Sequence, residues 1–183
     1  MMQIERFDID GILLLRPRVF SDERGAFMET WNESLFRGIL GDHVFVQDNE
    51  SVSRKGVLRG LHFQLEPHAQ GKLVRTVTGA VLDVCVDIRA GSPTHGQHVK
   101  VRLAAQDRTM LWIPPGFAHG FVALEADTMF AYKCTAPYHP ASERTILWND
   151  KDLGIDWGIA DPIVSEKDRR GHAFAGAWAM ATP

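Results

Sequence analysis

Apolar and polar residues alternate with a period of two through much of this chain. Leu82, Val84, Val86 and Ile88 alternate with Val81, Asp83, Cys85 and Asp87, and Val99, Val101 and Leu103 alternate with Lys100 and Arg102. This is the period of half-buried strands, whose successive side chains point to opposite faces. Strand-sized apolar runs recur between Gly, Pro and Asp turns from about residue 10 to residue 148. Thr78-Gly79, between two such runs, reads as a hairpin turn. Helical patterning is limited to residues 32–40, where Asn32 can cap and Leu35, Phe36, Ile39 and Leu40 make a face, and to a weaker segment beginning near Ser165. Many short strands with few helices predict a mainly β chain: a sandwich, barrel or jelly roll decorated by a few short peripheral helices, with sheet-on-sheet closure providing an interior cavity.

The chain has 183 residues, long enough for one domain with a substantial core and short for two, so a single domain over 1–183 is expected. Apolar residues make up 45%, charged residues 23%, and the net charge is only -3, which argues against disorder and against the electrostatic footprint of a nucleic-acid binder. Any preference for anions must therefore come from local clustering. The N-terminal residues lack the apolar core of a secretory signal and no later stretch approaches membrane-spanning length, so a cytoplasmic protein without membrane partners is expected. Cys85 sits in the apolar run Val84-Cys85-Val86 and Cys134 ends another, which points to buried reduced thiols rather than a disulfide framework.

Local clustering does occur. The stretch Gly56-Val57-Leu58-Arg59-Gly60-Leu61-His62-Phe63-Gln64, followed by Gly71-Lys72-Leu73-Val74-Arg75, lines up cations and a titratable imidazole along apparent strands. Regular alternation puts Arg59 and Phe63 on one face with Leu61, and His62 on the other with Leu58, Gly60 and Gln64. Gly56, Gly60 and Gly71 are places where the chain can bend or let a ligand approach the backbone. Such a row suits an anionic substrate.

Three further segments extend the pattern: Asp22-Glu23-Arg24-Gly25-Ala26-Phe27-Met28-Glu29, Ile113-Pro114-Pro115-Gly116-Phe117-Ala118-His119-Gly120-Phe121, and Phe130-Ala131-Tyr132-Lys133-Cys134. Together with Gln47-Asp48-Asn49, Trp148-Asn149-Asp150 and Ser165-Glu166-Lys167-Asp168, they resemble the dTDP-4-dehydrorhamnose 3,5-epimerase family, with motif order preserved from about Val19 to Arg169. The resemblance implies a cupin-type jelly roll that works as a homodimer without metal or organic cofactor. It also implies the reaction, conversion of dTDP-4-dehydro-6-deoxy-D-glucose into dTDP-4-dehydro-L-rhamnose for dTDP-L-rhamnose biosynthesis. An epimerase restricted to C3 or C5 of another dTDP-deoxysugar stays open beside it, as does a metal-dependent cupin oxygenase.

By the resemblance, His62 is the base, with Asp168 holding its other ring nitrogen, and Tyr132 is the acid on the far face of the sugar. Lys72 stands near O4, where an ammonium stabilises an enolate. Read without the family, these would be a core histidine, a surface aspartate, a strand aromatic and a solvated lysine. Arg24, Arg59 and Lys167 match substrate contacts of the kind that bind diphosphate. Glu29, Gln47, Asn49, His119 and Glu143 match further substrate contacts, and Tyr138 matches the residue that stacks on thymine. The strand carrying Arg24 and Glu29 reaches the neighbouring subunit's site in related dimers. Cupin metal sites usually use a His-x-His pair, but His62-Phe63-Gln64 puts glutamine in the second place, so no metal is expected. His43, His68, His95, His98, His139 and His172 are left as surface or loop groups.

Overall fold

Two facing sheets form the body of the molecule in the computed structural model, which describes residues 2–177. In chain order the elements are β1 (Gln3–Arg6), β2 (Leu13–Arg16), β3 (Val19–Asp22), β4 (Gly25–Met28), α1 (Glu33–Leu40), β5 (Gln47–Ser53), β6 (Val57–Gln64), β7 (Lys72–Thr78) and β8 (Ala80–Asp87). They continue as β9 (His98–Ala104), β10 (Met110–Ile113), β11 (Phe117–Ala123), β12 (Thr128–Cys134), β13 (Glu143–Thr145), β14 (Ile163–Val164) and α2 (Glu166–Arg169). The first sheet has the order β1-β2-β10-β7-β12-β5 and the second β13-β6-β11-β8-β9, with β14 added in parallel to β6 and β3–β4 forming a separate ribbon. This is a cupin-type jelly roll, with helix confined to short peripheral pieces.

Three apolar clusters explain why so many strands are buried on both faces. Leu14, Val74, Leu111, Ile113 and Phe130 of the first sheet meet Val81, Cys85, Val99, Val101, Phe117 and Phe121 of the second. Burying a side chain such as Phe130 contributes roughly 1.5–3 kcal/mol. Outside the first sheet, α1 lays Phe36 and Leu40 on Leu13, Leu15, Leu73, Met110 and Trp112. Outside the second, Ile146, Leu153, Trp157 and Val164 cover Leu58, Leu61, Phe63, Val84, Val86, Ala118 and Val122. β8 was expected to be half-buried; lying between two of these clusters, it is buried along almost its whole length. In β9 the expected alternation holds, with Lys100 and Arg102 exposed between buried Val99, Val101 and Leu103. Cys85 and Cys134 are free and buried, as expected.

The helix signals also hold. Asn32 caps α1, its Oδ1 accepting from Leu35 N at 3.2 Å, and Ser165 caps α2, its Oγ accepting from Asp168 N at 3.1 Å. Among the described residues no helix is long and apolar enough to cross a membrane.

Two local expectations are overturned. Thr78-Gly79 is not a hairpin turn: β7 pairs with β10 and β12 while β8 pairs with β9 and β11, so the chain passes there from one sheet to the other. Gly79 makes that passage at φ +74, where a Cβ would come within 2.5 Å of Thr128 Oγ1. The second correction concerns β6. His62 stands opposite His119 and Arg59 opposite Phe121, so the register slips by one between them. This bulge puts Arg59 on the inner face with His62 and Gln64, leaving Leu58, Leu61 and Phe63 in the outer cluster. Gly60 permits it, with φ +134 and Gly120 Cα only 2.5 Å from where a Cβ would sit.

Candidate active site

Residues directly opposite each other on paired strands share a face, and this rule assembles the site from register alone. On the inner face of the first sheet, Lys72, Cys134 and Gln47 form one row and Val74, Tyr132 and Asn49 the next. On the inner face of the second, His62, His119 and Cys85 form one row and Arg59, Phe121 and Asp83 the next. The sheets open at this end into a cavity of about 280 Å³ lined by Gln47, Asn49, His62, Gln64, Lys72 and Tyr132, with Gln70, Tyr138 and Glu143 at its margin. His62 and Tyr132 therefore reach one space from opposite sheets. A second depression of about 330 Å³, outside the first sheet, is lined by Thr30, Glu50, Arg75 and Lys133 and touches Asn49 and Tyr132, but holds no imidazole.

Two histidine–carboxylate pairs organise the second sheet. His62 Nε2 lies 2.5 Å from Asp168 Oδ1, with Asp168 buried and the imidazole partly exposed toward the cavity. Burial raises the Asp168 pKa, but the hydrogen bond with His62, its charge, and bonds from Ser165 and the Gly60 backbone outweigh this and hold the carboxyl below its ordinary range. An ionised Asp168 accepts from Nε2–H, so the Nδ1 lone pair is the one left to take a proton. His119 Nε2 lies 2.9 Å from Asp83 Oδ2, and both side chains are buried. Burial pushes the His119 pKa down, opposed by Asp83.

On the first sheet, burial pushes the Lys72 ammonium below the ordinary lysine value, with Cys134, Cys85, Asp83 and Glu143 pulling it back. Burial raises the Tyr132 phenol, which stays protonated at neutral pH. At the cavity mouth, Glu143 Oε2 accepts from Tyr138 Oη at 2.7 Å and pairs with Lys167 Nζ at 2.5 Å.

The expected site residues are thus partly gathered. His62, Lys72, Tyr132, Gln47, Asn49, Tyr138 and Glu143 line the cavity, Asp168 stands behind His62, and Lys167 reaches Glu143. His119 is buried beside the cavity rather than lining it. Arg59 donates through Nε to Ser53 Oγ at 3.1 Å, and its charge is close enough to bear on Tyr132. Arg24 and Glu29 are elsewhere: Arg24 pairs with Asp22 at 2.6 Å on the exposed ribbon, and Glu29 accepts from Asn32 at 3.2 Å. Asp83 was not among the expected residues, although a lone acid inside the run Val81-Leu82-Asp83-Val84 was a signal. Of the histidines left without a role, His98 belongs to strand β9, and His68 and His139 stack at 3.7 Å near the cavity mouth.

Among the described residues no group of three or more His, Cys, Asp or Glu side chains could hold a metal ion. His62 and His119 are each committed to a different carboxylate, and Gln64 spends its amide on backbone groups. These donors do not fit a cupin metal centre.

A jelly roll with an oriented imidazole, an opposing phenol and a half-buried lysine around one cavity suits the proton transfers of an isomerase. The chain belongs to the dTDP-4-dehydrorhamnose 3,5-epimerase family, whose model matches residues 6–176. It is 51% identical to the dTDP-4-dehydrorhamnose 3,5-epimerase of Shigella flexneri over 177 residues, covering 96% of this chain and 98% of that one. The corresponding enzyme of Pseudomonas aeruginosa is 53% identical over 178 residues, covering 96% and 98%. The crystal structure of the dTDP-6-deoxy-D-glucose-3,5-epimerase of Legionella pneumophila, in complex with dTDP-4-keto-L-rhamnose, superposes with a TM-score of 0.92 at 46% identity, covering 96% of this chain and 94% of that one.

Proposed function

We propose that this chain inverts C3 and C5 of dTDP-4-dehydro-6-deoxy-D-glucose to give dTDP-4-dehydro-L-rhamnose. The observation that carries the reading is His62, held by Asp168 at 2.5 Å, lining one cavity with Tyr132 and Lys72 of the facing sheet. C3 and C5 both adjoin the C4 ketone, so the substrate supplies its own electron sink. His62 Nδ1 takes the proton from carbon, the C–H electrons move into a C=C bond, and the ketone becomes an enolate on O4. Lys72 meets that charge, and its depressed pKa is relieved as the negative oxygen forms. Tyr132 then donates its phenolic proton to the opposite face of the carbon, the ketone re-forms, and both side chains exchange protons with water before the second centre reacts.

Tyr138, half exposed with its hydroxyl fixed by Glu143, presents a ring for the nucleobase, while Arg59 and Lys167 supply cations for the diphosphate. The β3–β4 ribbon favours a homodimer in which Arg24 and Glu29 serve the partner's site. Phe20 and Phe27 stand 49% and 64% exposed on it, an apolar face that a second copy would cover. Incubation with the 4-keto sugar nucleotide, followed by NMR of the product, tests the reaction. Inversion at both carbons is expected; inversion at one alone would make the chain a C3 or C5 monoepimerase.

A further inference from the structure

Between β12 and β13 the chain runs along the cavity mouth and carries Tyr138, and carboxamides from three other places hold its backbone. Gln70 Nε2 donates to Ala136 O at 2.7 Å. Gln64 Nε2 donates to Pro137 O at 3.2 Å and to His68 O at 2.6 Å, while its Oε1 accepts from His139 N at 2.8 Å. Gln47 Oε1 accepts from Tyr138 N at 2.8 Å, and its Nε2 is in turn fixed by Asn49 at 2.9 Å. Among the described residues, every hydrogen-bonded backbone atom from Ala136 to Tyr138 has a side-chain partner.

Only a carboxamide does what Gln64 does here. It carries donors and an acceptor on one planar group, so it grips a carbonyl and an N–H on either side of Tyr138 at once. It also binds the 65–70 loop through His68 O, drawing that loop against this one, and the His68 and His139 rings stack where the two meet. Gln64 is 7% exposed, so little water competes for these bonds. Tyr138 is then fixed at both ends, by backbone on one side and by its hydroxyl on Glu143 on the other, with the ring left open to solvent.

We propose that Gln47, Gln64 and Gln70 are positioning residues that hold the Tyr138 loop in the pose that receives the nucleobase, so that, through Gln64, grip on the nucleoside half of the substrate is set in part from β6, the strand that carries His62. The proposal rests on the reading of Tyr138 as the nucleobase platform. A preorganised ring binds more tightly because no loop has to be ordered on binding.

The test uses Gln64→Met, which keeps the volume of the side chain and removes its hydrogen bonds, alone and in a Tyr138→Ala background. Binding of dTDP is read by calorimetry and turnover of the 4-keto sugar nucleotide by kcat and KM. Gln64→Met should weaken dTDP binding and raise KM about tenfold while kcat stays within about twofold, and in the Tyr138→Ala background its effect on dTDP should shrink below about twofold. Equal weakening in both backgrounds, or a fall in kcat with KM unchanged, overturns the proposal. If dTDP binds Tyr138→Ala as tightly as the wild type, the nucleobase reading itself fails. Should Gln64→Met lose cooperative unfolding, Gln70→Met decides by the same pair of measurements, with a smaller expected shift because it removes one bond.

Discussion

In the proposed reaction His62 is the base, oriented by Asp168 at its other ring nitrogen, and its role can be measured. His62→Ala should cut turnover by about 10²–10⁴-fold. Tyr132→Phe should lose inversion yet keep exchange at the carbon that His62 deprotonates; full inversion by that variant would remove Tyr132 from its role. Lys72 gives a pH signature. Its pKa is lowered by burial, so its positive charge is lost at a lower pH than an ordinary lysine's, whereas the Tyr132 phenol is raised and keeps its proton through the same range. The alkaline limb of kcat should therefore belong to Lys72 and move to higher pH in Lys72→Arg. An alkaline limb unmoved by that change would assign it to another group. That His62, Lys72 and Tyr132 would share a site was legible because each is a distinctive residue type inside a motif, and the cavity gathers all three. Asp83 was not read, because the pairing that explains it is with His119, 36 positions away in sequence.

At the scale of elements, the bulge in β6 matters most. Strict alternation sets Arg59 and His62 on opposite faces, and only the slip at Gly60 brings both inside. Gly60→Ala should destabilise the fold by about 2–4 kcal/mol and abolish activity together, since a Cβ there collides with Gly120 backbone. Denaturant midpoints check this, and a variant of wild-type stability would show that the bulge is tolerant. A second element-level device closes the loop after β8. The Asp87 carboxylate is buried, which alone would raise its pKa, yet Arg89, Ser92 and Thr94 bond it and hold it far below the carboxylate range. A group depressed in this way stabilises the fold above its unfolded pKa of about 3.9, and that contribution is lost as pH falls toward the folded value. Asp87→Asn should cost about 2–4 kcal/mol at neutral pH, with the gap to wild type narrowing only below pH 4. The strands, α1 and its Asn32 cap were readable from periodicity and capping chemistry. The Thr78-Gly79 turn and the bulge were not, because which sheet a strand joins is decided by long-range pairing that no local window contains.

At the scale of the whole molecule, the cavity gathers His62, Lys72 and Tyr132, while Arg24 on the exposed ribbon and Glu29 just after it lie elsewhere. If that ribbon completes the partner's site, mixing inactive Arg24→Ala with inactive His62→Ala subunits should restore about a quarter of wild-type activity, because each mixed dimer then contains one intact site. No recovery after subunit exchange would confine each site to one chain. The jelly roll itself was legible from many short strands and from the order of the motifs; the open position of the ribbon was not, since its apolar residues look like core until the rest of the core is assembled without them. The most direct measurement of the central claim is proton NMR of substrate turned over in deuterated water by the wild type and by His62→Ala. Wild-type enzyme should place deuterium at both C3 and C5, and His62→Ala at neither. Undiminished exchange at either carbon in His62→Ala would contradict a single histidine base serving both.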